Sequence, residues 1–82
     1  MDWITDITLR LAATTGVDAA DLLVDAVAAQ TLLDLAGVAA HTSGERTNAP
    51  LLCHVIGRAM ARGASLDECA RVVHEFAAEG AG

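Results

Sequence analysis

The sequence predicts an all-α fold, a small four-helix bundle with room for one extra short helical turn, and three observations carry that expectation. Apolar residues recur at helical spacing in four separate stretches. Residues that start and stop helices bracket those stretches. No alternating strand pattern of useful length occurs, and neither a linker nor an internal repeat divides the chain, so residues 1–82 are expected to form a single helical domain.

The first helix is expected from Trp3 to Thr15, with Asp2 as its cap, Ile4, Ile7 and Leu11 on one side, and Gly16 as its stop. The following VDAADLL has the composition of a short helical turn. A long helix then runs from Asp21 or Asp25 to His41, with an apolar stripe through Val24, Val27, Ala28, Thr31, Leu32, Leu35, Ala36 and Ala39. The polar break TSGERTN interrupts it. Asn48 is placed to cap the next helix, Pro50 fits its first turn and Gly63 closes it. Leu51, Leu52, Val55, Ile56, Ala59 and Met60 define its core face, while Arg58 and Arg62 face solvent. Ser65 and Glu68 form a capping box for a last helix, Leu66 to Ala78. That helix is expected to turn Leu66, Cys69, Ala70, Val73, Phe76 and Ala77 inward. Asp67, Glu68, Arg71, Glu75 and Glu79 remain outside, where Glu68–Arg71 and Arg71–Glu75 have the spacing of weak surface pairs. Gly80 and Gly82 loosen the tail.

A chain of 82 residues hides only roughly 60% of the surface that its unfolded form would expose. It is 54% hydrophobic, but 18 residues are Ala and only Trp3 and Phe76 are aromatic, so bulky apolar area is scarce. Each small side chain contributes little transfer energy, and self-association or docking on a larger protein would cover what a monomer cannot. A homodimer is accordingly one expectation. Eleven acidic residues against five Arg and no Lys give a net charge of −6, which disfavours nucleic acid and anionic membrane surfaces as partners. The acidic start lacks the basic region of a secretory signal. No stretch reaches the roughly 18 consecutive apolar residues of a membrane span, so a cytoplasmic location is expected. In a reducing cytosol Cys53 and Cys69 read as small apolar groups rather than a disulfide.

The sequence carries no convincing catalytic or metal motif. His41, Cys53, His54, Cys69 and His74 are ligand types, but neighbouring Cys53 and His54 point about 100° apart on a helix, and neither CxxC nor HxxxH spacing occurs. Neither a metal nor a cofactor is therefore expected. A Cys–His nucleophile pair would require cysteines that instead occupy apolar faces. Ser65-Leu66-Asp67 has a superficial likeness to a phosphopantetheine attachment site, yet only 17 residues follow Ser65, and helix capping accounts for it. The junction from His41 to Asn48 is the remaining candidate. Arg46 is suited to gripping a carboxylate or phosphate, with His41, Asn48 and the opening amides of the next helix in support. The competing and favoured reading is structural: His41 and Arg46 satisfy the carbonyls ending one helix while Asn48 caps the next.

The run LLDLAGVAAH, a short break containing arginine, and then NAPLLCHVIGRAMARGASLDE resembles a family of small uncharacterised helical domains of high-GC bacteria, found alone or fused to molybdenum cofactor guanylyltransferase and near formate dehydrogenase maturation genes. Trp3, Leu33 to Ala36, Ala40-His41, Arg46, Ala49 to Leu51, Gly63 and Ser65 to Glu68 carry the likeness in order. The chain departs from the family pattern in a longer Asp18 to Thr31 segment, the TSGERTN loop and Asp67 in place of the commoner Glu. The resemblance implies a non-catalytic accessory or interaction module whose partner is a larger enzyme of molybdenum cofactor biosynthesis. It transfers no active site. The alternatives are a domain that binds a small anion, pterin or nucleotide through His41, Arg46 and Asn48, and a structural homodimer.

Overall fold

The computed structural model describes residues 2–80, and all of its regular structure is helical. Five helices follow in order: α1 (Trp3–Thr15), α2 (Ala19–Leu22), α3 (Ala26–Ser43), α4 (Asn48–Ala61) and α5 (Leu66–Gly80). The all-α class, four main helices and one short extra turn agree with the sequence reading. Gly80 ends α5, and Gly82 lies outside the described residues.

Local chemistry explains most boundaries. Asp2 accepts the Thr5 amide at 2.8 Å, Asp18 the Ala20 amide at 3.0 Å and Asp25 the Ala28 amide at 2.7 Å, so each of the first three helices opens on an aspartate cap. Of the two starts considered for the long helix, Asp25 is therefore the cap, and Val24 lies ahead of the helix. Gly16 and Gly63 adopt positive φ, 80° and 109°, where a Cβ would be strained. The long helix runs two residues beyond His41, to Ser43, because Gly44 supplies the turn and its amide bonds to the Ala40 carbonyl at 3.0 Å.

The start of α4 differs from expectation. Asn48 is the first helical residue rather than the cap, and Thr47 in the cap position has helical backbone angles and makes no capping hydrogen bond. Backbone groups do that work: the Asn48 amide donates to Glu45 O and the Ala49 amide to Arg46 O, both at 3.1 Å. Pro50 sits in the first turn, where its missing N–H costs nothing.

The capping box forms in both directions. The Ser65 amide donates to Glu68 Oε1 and the Glu68 amide to Ser65 Oγ, each at 3.1 Å. The bond from the Ser65 amide, then that with the Ser65 side chain, holds the Glu68 carboxyl below its ordinary value, with Arg71 contributing less. Asp2 is lowered by the Thr5 side chain and amide. A carboxyl with a lowered folded-state value stabilises the fold above its unfolded value, and that stability is lost as pH falls through the folded value. Glu68→Gln keeps an acceptor but cannot titrate. Wild type should therefore melt above this variant at neutral pH, with the gap in Tm closing as pH falls below the ordinary glutamate value and through the lowered one. A gap independent of pH would refute the charge-assisted cap.

Packing is uneven along the chain. The centre of the fold is a three-helix unit in which α3 lies against both α4 and α5, and α4 and α5 also touch. The four-residue turn 44–47 makes α3 and α4 a helical hairpin. Leu35 of α3 is completely buried and Ile56 of α4 is 3% exposed, and no other large apolar side chain among the described residues is as deeply covered. By contrast α1 approaches α2 and no other helix, giving a long molecule of 46 × 25 × 20 Å. The covered residues of α1 are Thr5, Ile7, Thr8 and Ala12, with the Thr8 hydroxyl donating to Ile4 O at 2.6 Å.

The apolar stripes consequently remain open where the sequence led us to expect a core. Ile4, Leu11, Val24, Val27, Leu51, Val55, Met60 and Phe76 are all exposed, because among the described residues those faces have no covering neighbour. The stretch Ala19–Ser43 also reaches a mean hydropathy of 1.6 over 18 residues, a value compatible with a membrane span by length and composition and higher than the scan for uninterrupted apolar runs suggested. Leu23 to Asp25 break this stretch, and within α3 Leu35 is enclosed while Val27 and Leu33 stay exposed.

Candidate functional site

The most developed concavity is an open apolar groove of about 570 Å³ formed by α3, α4 and α5. Val38 and Ala39 of α3, Leu52 and Val55 of α4, and Val73 and Ala77 of α5 form much of its lining, and Leu51, Val72 and Phe76 also border it. Among the described residues no charged side chain lines it. Thr42, Ser43 and Asn48 supply polar groups at the end nearest the α3–α4 turn. Phe76 is 72% exposed and Val55 60% exposed. Apolar area of this kind attracts a complementary apolar surface, since each Å² removed from water is worth roughly 25 cal/mol.

The three residues singled out as a ligand site are placed differently from one another. His41 lies exposed in the last turn of α3, Arg46 is exposed within the turn, and half-buried Asn48 opens α4 and belongs to the groove lining. Among the described residues none of their side chains makes a hydrogen bond that fixes it. The helix-ending role expected for His41 and Arg46 is filled by Ser43, whose hydroxyl donates to Ala39 O at 2.6 Å and accepts the Glu45 amide at 3.1 Å, and by the Gly44 amide.

The other candidates have ordinary surroundings. Cys53 and Cys69 are free, half-buried thiols, and Cys53 Sγ lies 3.9 Å from Leu32 O at the α3–α4 contact. Among the described residues no group of three or more His, Cys, Asp or Glu gathers as a metal-binding set. Ser65 is committed to its cap, as the sequence indicated. Arg71 Nη1 and Glu75 Oε1 pair at 3.1 Å on the exposed face of α5, an ion pair of little energetic weight.

The groove was missed as a site because its residues read as core. Leu51, Val55 and Phe76 have the spacing of buried positions, and periodicity cannot reveal whether a neighbour covers them. A hint was present in the composition, where scarce bulky residues and abundant Ala pointed to incomplete burial.

Fold and groove together define a small all-α domain with an open apolar groove. The chain belongs to the family described as a domain of unknown function (DUF6457), whose model matches residues 1–82. No curated protein and no solved structure matches it.

Proposed function

We propose that this chain is a non-catalytic interaction module whose α3–α5 groove accepts an amphipathic helix of a protein partner. The observation that carries this reading is the uncharged groove bordered by exposed Leu51, Val55, Val72 and Phe76. Helix-in-groove recognition needs such a surface, with apolar anchors on one face of the incoming helix. The resemblance noted from Leu33 to Glu68 supports, as that partner, an enzyme of molybdenum cofactor guanylylation or formate dehydrogenase maturation.

The full chain should retain molybdenum cofactor guanylyltransferase in a pull-down, and Phe76→Glu should abolish retention by placing a charge in the groove. No enrichment over control counts against the reading. The competing outcome is an anion site at the α3–α4 turn, favoured by the uncommitted side chains of His41 and Arg46. It would appear as a rise in Tm with molybdopterin, guanine nucleotide or phosphate that Arg46→Ala removes, because a ligand bound only to the folded state stabilises it.

A further inference from the structure

We infer that two copies of this chain exchange their N-terminal helices, the α1 of each copy seating Trp3, Ile4, Ile7 and Leu11 in the α3–α5 groove of the other. The inference rests on reading the groove as a helix acceptor and names the helix that it takes.

Three observations point to a second copy. The first is area: the chain exposes 6166 Å², whereas a compact monomer of its 8.4 kDa mass exposes about 4,600 Å². Doubled over two chains the surplus is about 3,000 Å², within the range buried by permanent dimers. A surface of this size fits an intertwined pair better than a brief encounter.

The second observation is that the chain carries both halves of the contact, each with large apolar side chains left exposed. At 100° per residue, Trp3, Ile7, Leu11 and Ile4 share an arc of roughly 100° on α1. Trp3 is 76% exposed, and Ile4 and Leu11 are exposed beside it. This is the stripe whose spacing identified a core face; of its members only Ile7 is half-buried, beside Thr5, Thr8 and Ala12 on the covered side of α1. The groove on α3–α5 has no charged side chain to oppose such a stripe. The lengths also agree: the stripe runs from Trp3 to Leu11, and the groove is lined over residues 48–55 of α4 and 72–80 of α5.

The third is the geometry of the connection. Residues 16–25 contain α2 and carry α1 away from the three-helix unit, so that α1 meets α2 alone. Exchange leaves that packing in place, and it completes a four-helix bundle in each half of the dimer with the fourth helix supplied by the other copy. Mutual exchange gives a closed, two-fold assembly with no unfilled groove. A partner enzyme whose helix enters the groove would compete with α1, making the exchanged dimer the resting form.

Sedimentation of the full chain tests the proposal, with Trp3 fluorescence as a second readout because it is the chain's single tryptophan. The expected species has twice the chain mass, with blue-shifted emission that moves to the red on dilution. Trp3→Glu and Phe76→Glu should each give helical monomers, and in Phe76→Glu the Trp3 emission should be red-shifted. Mixing the two variants should restore a heterodimer, since one carries an intact groove and the other an intact α1. A monomeric wild type overturns the proposal, as does a dimer insensitive to Trp3→Glu or a mixture that fails to pair. The guanylyltransferase pull-down is scored separately. A monomer that still captures the enzyme overturns exchange alone, and a dimer that captures nothing overturns docking on that enzyme alone.

Discussion

Leu35→Ala should destabilise the chain by about 3 kcal/mol, the largest loss expected from any single truncation in it. Leu35 is the one large side chain with no exposed surface among the described residues, and it sits on α3, the helix that packs against both α4 and α5. Truncation removes its transfer energy and leaves a cavity that three helices would have to close together. For a domain of this size each kcal/mol corresponds to about 4–8 °C, so Tm should fall by more than about 10 °C. Thermal unfolding followed by helical circular dichroism, at one fixed chain concentration, measures the change. The concentration must be held because association of folded chains raises apparent stability by mass action. A loss below about 1 kcal/mol would mean that Leu35 is not the centre of the core.

Ile56→Ala should cost less, about 2 kcal/mol, although Ile56 is nearly as well buried. It borders a shallower cleft between α4 and α5, together with Leu52, Ala59, Ala64 and Cys69. Neighbours beside an open cleft can relax into the lost volume, which lowers the cavity part of the cost. The same melting experiment checks it. A larger effect than that of Leu35→Ala would shift the centre of the fold from the α3 contacts to the α4–α5 side.

Both effects are large against total stability because so few side chains are buried. Small single domains keep only a few kcal/mol of net stability, and here Leu35 and Ile56 are the only apolar side chains among the described residues that are fully enclosed. The many Ala residues allow α3 to lie close to its neighbours, yet each adds little. Covering Trp3, Ile4, Leu51, Val55 and Phe76 would add considerably more, which gives docking or exchange an energetic purpose in this chain.

The three-helix unit and the α1–α2 arm were not equally legible. Asp2 and Gly16 marked α1 at both ends, and Ser65 with Glu68 marked the opening of α5. Asn48 misled, since a residue type suited to capping stands one position inside the helix while backbone groups satisfy the turn. At the candidate site Asn48 borders the groove, whereas His41 and Arg46 lie outside its lining. The groove residues themselves looked like interior. A stripe identifies a surface that avoids water, without naming what covers it.

What the sequence determined by itself was therefore local: the helical class, the aspartate caps, the glycine stops and the reciprocal capping box. These depend on groups within about four positions of one another, and the covalent chain guarantees that such groups meet. Only the tertiary arrangement decided that Leu35 and Ile56 are enclosed while Phe76 and Trp3 stand open. Their spacing is equally helical, and the difference arises because the 16–25 connection carries α1 away from α3, α4 and α5 and leaves two apolar faces without a neighbour.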